Sequence, residues 1–140
     1  MPDNETVKKG HCLCGKTTFE YTGKENWCCH CHCESCRRNT SSPFTTFFGV
    51  LLTAYHFTGQ HPGTYHSSPG QHRLFCTTCG TPIAFESTRF PHEIHFYAAS
   101  LEHPEGLTPQ FHVHYAEKLP WIDLKDDLPK HNGFWKKIKT

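Results

Sequence analysis

Cys28-Cys29-His30-Cys31-His32-Cys33-Glu34-Ser35-Cys36-Arg37-Arg38 holds five of the chain's nine cysteines in nine consecutive residues, 28 to 36. A hydrophobic core has no use for that density of sulfur, whereas a metal site does. Alternate side chains of an extended segment share a face, so Cys29, Cys31 and Cys33 point one way and His30 and His32 the other. A turn after Cys33 can return Cys36 to the same point. Three thiolates converging from one short segment suit zinc, which takes sulfur and nitrogen at tetrahedral geometry. Three protein ligands and an open fourth position form a catalytic zinc site. With Cys29 as a fourth ligand the site would instead be closed and structural. The more compact arrangement uses Cys31, Cys33 and Cys36.

Two further pairs flank this cluster, Cys12-x-Cys14 and Cys76-x-x-Cys79. Each is followed by glycine, Gly15 or Gly80, which tolerates the turn that frees backbone amides to face sulfur. Together the pairs supply four thiolates, a closed structural zinc shell. The 61 residues between Cys14 and Cys76 exceed the spacing of a small finger and fit a clip between distant strands. The plainer alternative is two unrelated surface turns with free thiols.

Working outward, 140 residues fit one domain with a modest core. At 36% hydrophobic and 19% charged the composition is globular. A net charge of +1 carries no basic footprint, which argues against a nucleic-acid partner. The polar start has no apolar stretch of a signal peptide. The longest apolar run, residues 47–52, falls far below the roughly 18–20 residues of a membrane span. The expectation is a cytoplasmic protein without membrane contact, and in a reducing compartment the cysteines favour metal over disulfides.

Alternating, β-branched and aromatic stretches predict strands over residues 16–22, 27–31, 43–52, 82–87, 93–98 and 111–115, with short ones at 55–58 and 63–67. Residues 34–39 allow one helical turn. No window sustains a 3.6-residue apolar period, so the class is mainly β. The predicted organisation is a loose segment over 1–9, a single zinc-binding domain over 10–130 and a tail over 131–140.

Gly10-His11-Cys12-Leu13-Cys14-Gly15, Cys31-His32-Cys33-Glu34-Ser35-Cys36-Arg37-Arg38 and Phe75-Cys76-Thr77-Thr78-Cys79-Gly80-Thr81 stand in a familiar order and spacing. They resemble the glutathione-dependent formaldehyde-activating enzyme family, which includes centromere protein V. Residues 101–109, His112, Pro120-Trp121 and Asp126-Asp127-Leu128-Pro129 are similar to its C-terminal half, so the resemblance spans about 8–130. It implies the β-tent zinc-binding fold of several small antiparallel sheets with little helix. It also implies two Zn2+ per chain, one structural at Cys12, Cys14, Cys76 and Cys79, one catalytic at Cys31, Cys33 and Cys36. The implied activity adds glutathione to formaldehyde to give S-hydroxymethylglutathione, a carbon–sulfur lyase when written in reverse. One departure stands out. The family places glycine five residues after its third cysteine, where this chain has Ser41, so a different turn is expected there.

A three-thiolate zinc is a better dock for a soft thiol than a generator of hydroxide. That suits glutathione or a related conjugate as partner. Arg37 and Arg38 could bind a carboxylate of the tripeptide, or simply be solvated. His32 and His112 are the candidate proton donors, with packing as their alternative role. A bare β surface could also support a homodimer. The rival functional class is a non-catalytic, zinc-stabilised binding or chaperone module.

Overall fold

The structure is a computed structural model that describes residues 6–134 of the chain. The outermost parts of the expected N-terminal segment and C-terminal tail lie outside the described residues. Strands take 39% of residues and helix 15%, so the mainly β reading holds. In chain order the elements are β1 (Lys8–His11), β2 (Thr18–Tyr21), β3 (Trp27–Cys31), α1 (Glu34–Thr40), β4 (Thr45–Leu51), β5 (Tyr55–Phe57), β6 (Gly63–Ser68), β7 (Gln71–Phe75), β8 (Pro82–Ser87), β9 (Glu93–Tyr97) and β10 (Phe111–Val113).

They form two sheets. One has three strands in the order β1-β2-β5, the other seven in the order β10-β3-β4-β9-β8-β7-β6. Strand pairs are antiparallel except β10 on β3, which is parallel. Side chains alternate across the central strands, and this builds two separate apolar layers. Phe48, Val50, Ile94 and Phe96 join Phe19 and Tyr21 of the smaller sheet in one core. Phe19 stacks on Phe96 with centroids 4.0 Å apart. On the opposite face Trp27, Cys29, Cys31, Phe47 and Tyr97 form a second cluster, closed by Cys36, Phe111 and Val113. Strand β9 is therefore buried at every position. Each buried Phe stabilises the fold by about 1.5–3 kcal/mol.

Gly49 is required by this second layer, since a Cβ there would sit 2.7 Å from the Trp27 ring. Two strands have no clear signal in the sequence. β1 is polar because it is an edge with only Gly10 buried. β7 holds Arg73 where a core residue would be expected, yet it pairs with β6 and β8 on either side. At Ser41, where the family has glycine, the chain takes the left-handed conformation, φ 55°, that glycine favours.

Candidate metal group and cysteine pocket

Cys12 and Cys14 lie in the loop between β1 and β2, Cys76 and Cys79 in the loop between β7 and β8. The chain bends so that all four sulfurs lie within 4.8 Å of one another, a group that could hold a metal ion. Gly15 and Gly80 both adopt φ +81°, and their amides close the two turns onto the carbonyls of Cys12 and Cys76. Backbone amides then point at sulfur. Thr17 N donates to Cys12 Sγ at 3.3 Å, and Thr78 N and Cys79 N donate to Cys76 Sγ at 3.4 and 3.5 Å. The Thr17 side chain and the Cys79 amide bring the Cys76 thiol down to about 5. Thr81 brings Cys79 down to about 7. Hydrogen bonding to the charged form favours it, so Cys76 and Cys79 are prepared as thiolates, whereas at Cys14 the Lys16 backbone bond is outweighed by burial and the other cysteines, which push the thiol up to about 11.

The central cysteines occupy a different place. Cys31 ends β3, Cys33 immediately precedes α1, and Cys36 lies within it. All three line a pocket of about 350 Å³, a size that suits a small-molecule ligand. Hydrogen bonds from Cys31 and Cys36 hold the Cys33 thiol far below its ordinary value. Among the described residues, the group with ligand atoms all within 4.8 Å of one another is the four-cysteine one, and these three cysteines are not part of it. Cys29 is fully buried against the second apolar layer, where burial raises its thiol well above the usual range. It is not among the residues that line the pocket.

His32 and His112 meet behind the cluster, on the face of β3 away from the cysteines. His32 Nε2 lies 2.9 Å from His112 Nδ1, and His112 Nε2 lies 3.0 Å from the Asp126 carboxylate. Both rings are buried, and burial first, then His112, lowers His32 to about 4. Arg37 donates to the His32 and Glu117 carbonyls, and Arg38 pairs with Glu34 at 2.8 Å on the surface. None of these four residues lines the cysteine pocket.

Other residues do. Gln71 and Arg73 of β7, Phe85 and Ser87 of β8, His95 of β9, Arg89 and His114 complete the polar and apolar wall. Arg73 Nη1 donates to Cys36 Sγ at 3.6 Å and to the Tyr97 hydroxyl at 3.2 Å. His95 Nε2 lies 2.8 Å from Glu93, whose buried carboxylate also accepts from Trp27 Nε1 and Asn26 Nδ2, each at 3.1 Å. His114 reaches the pocket because it takes φ 52°, which ends the alternation that β10 would otherwise impose on it and His112. Because β7 carries no clear strand signal, the sequence offers nothing for Arg73 beyond its place three residues before Cys76.

A two-sheet β fold with a four-cysteine group that could hold a metal ion and a separate three-cysteine pocket defines a small cysteine-rich β protein. A family model matches residues 7–117, and the chain belongs to the glutathione-dependent formaldehyde-activating enzyme family. A Schizosaccharomyces pombe protein described as an uncharacterized lyase is 35% identical over 88 residues. That match covers 63% of this chain and 61% of the relative, so the chain spans less than two thirds of the relative's length. The crystal structure of a Rhodobacter sphaeroides protein shares the fold, with a TM-score of 0.57 and 23% identity over 72% of this chain and 91% of that one.

Proposed function

We propose that this chain is a zinc-dependent carbon–sulfur lyase acting on a glutathione–aldehyde adduct, with formaldehyde as the family's aldehyde. The observation that carries this reading is the pocket lined by Cys31, Cys33 and Cys36, set apart from the four-cysteine group. Four sulfurs about 2.3 Å from a central zinc would stand about 3.8 Å apart. Cys12 and Cys14 stand 3.6 Å apart, and Cys14 and Cys76 3.8 Å, so the four-cysteine group suits a structural zinc. Cys31, Cys33 and Cys36 would hold the second ion and leave one position for a substrate sulfur. When bound there, zinc supplies a docking point that keeps a thiol ionised at neutral pH.

The protein's part is binding and orientation. Phe47, Phe85 and Phe90 give the pocket an aromatic wall. Holding thiol and aldehyde together contributes on the order of 7 kcal/mol at best. The nine cysteines are all free, which fits the reducing environment of the cytoplasm, the location we propose. Among the described residues no helix is long and apolar enough to cross a membrane.

Metal content with a glutathione titration tests the reading. Two zinc ions per chain, and glutathione binding lost in Cys33→Ser while one zinc is kept, are the expected results. One zinc and no glutathione binding in the unmodified protein would leave a structural clip and a binding module.

A further inference from the structure

Arg73 is 6% exposed, an unusual position for a guanidinium. Its Nη1 is engaged by Cys36 and Tyr97, and its plane lies 4.4 Å from the centre of the Phe85 ring. Arginine presents several N–H donors in a rigid fork and stays charged at any working pH. None of the Arg73 nitrogens is a buried orphan, and the side chain lines the cysteine pocket. The donors beyond Nη1 take no part in those two bonds and are available to a ligand in the cavity, beside Cys36.

We propose that Arg73 binds the oxygen that carries negative charge as the carbon–sulfur bond of a thiol–aldehyde adduct forms or breaks. This assignment rests on the thiol-adduct reading above. In addition, the sulfur electron pair forms the bond to the carbonyl carbon. The carbon–oxygen π pair moves onto oxygen, and the resulting alkoxide takes a proton from water. In reverse the hydroxyl loses that proton, the carbon–oxygen double bond re-forms, and the carbon–sulfur pair returns to sulfur. The oxygen is always two bonds from the sulfur, so a group that stabilises it must stand next to the sulfur's docking point. Among the described residues, Arg73 is the cation that donates to one of the three cysteines. Arg37 and Arg38 are directed to Glu117, His32 and Glu34, and Arg89 is an exposed pocket residue. An oxygen held by preset donors needs no reorganisation as charge builds, which is the basis of oxyanion stabilisation.

The test compares mercaptoacetate with 2-mercaptoethanol, thiols of equal reach whose terminal oxygen is anionic in one and neutral in the other. Binding is measured on the zinc-loaded protein by calorimetry. The unmodified protein should prefer mercaptoacetate, and Arg73→Gln should reduce that preference at least about tenfold with zinc content unchanged. In turnover of glutathione with formaldehyde, Arg73→Gln should lower kcat about 100-fold while the Kd for glutathione stays within about twofold. Absence of a mercaptoacetate preference in the unmodified protein overturns the proposal before any variant is made. So does Arg73→Gln with kcat intact and glutathione affinity lost, which would make Arg73 a carboxylate clamp. If the unmodified protein fails to outrun the spontaneous reaction, the thiol-adduct reading falls, and the mercaptoacetate preference still decides whether Arg73 is the anion site.

Discussion

Ser41 closes α1 at φ 55° and ψ 39°, a conformation in which a Cβ crowds its own carbonyl. Its amide hydrogen-bonds back to the Arg37 carbonyl, so the helix end holds the residue there. The strain of a non-glycine residue in this region is about 1–2 kcal/mol, and glycine returns part of that through its looser unfolded chain. Ser41→Gly should therefore stabilise the protein by about 0.5 kcal/mol, seen as a small rise in Tm. A fall in Tm would mean that the serine side chain contributes more than its backbone costs. The hydrogen bond to Arg37 sets this conformation, and the side chain only sets its cost. Glu93 is the opposite kind of residue. Its buried carboxylate is the shared acceptor for Trp27, Asn26 and His95. Glu93→Ala leaves the buried Trp27 and His95 without that acceptor and should destabilise the fold by about 2–3 kcal/mol in urea unfolding.

At the scale of elements, the loop after β2 is tied to β1 through Glu25. Lys8 Nζ and the Tyr21 hydroxyl both donate to the Glu25 carboxylate at 2.6 Å. Burial pushes this carboxyl up, but the two hydrogen bonds outweigh it and hold it below its ordinary value of 4.5. A carboxyl whose folded pKa is depressed contributes stability that is complete above its unfolded pKa and lost as pH falls through the folded one. The stability difference between the unmodified protein and Glu25→Gln should be constant from pH 7 to about 5 and shrink below 4.5. A difference that grows on acidification would contradict this. The sequence made the cysteine turns legible because their ligands lie two or three residues apart, close enough for local spacing to decide them. The pocket wall was not legible in the same way. Arg73, Phe85, His95, Gly49 and Trp27 lie in one row only because four successive strand pairings align them. No local pattern carries that register, so the eye falls on Arg37 and Arg38, which are near the cysteines in sequence but not on the pocket.

Over the whole molecule, two features join what the chain keeps apart. The four-cysteine group connects the loop after β1 of the three-stranded sheet with the loop after β7 of the seven-stranded sheet. A cross-link closing a loop of roughly 65 residues restricts the unfolded chain by about 4 kcal/mol. Chelation should therefore lower Tm by roughly 10 °C, and Cys76→Ser should lower it equally and become insensitive to chelator. The second feature is the C-terminal stretch, which was expected to be a tail from residue 131. His131 N donates to the His112 carbonyl, and the His131 carbonyl accepts from Tyr115 N, both at 2.9 Å. Phe134 packs edge-on to Trp27 at 5.4 Å, tilts over Phe90 at 5.1 Å and lines the cysteine pocket. We propose that the folded unit runs through Phe134 rather than stopping at 130. A chain ending at residue 130 would lose about 2 kcal/mol of ring burial, together with these backbone bonds. Its Tm should fall by roughly 5–10 °C, and its glutathione affinity should weaken because one wall of the pocket has gone. Phe134→Ala, which keeps the backbone, should reproduce the loss of affinity with a smaller drop in Tm. A truncated chain that melts and binds like the full one would place the boundary at 130 and make Phe134 an ornament of the surface.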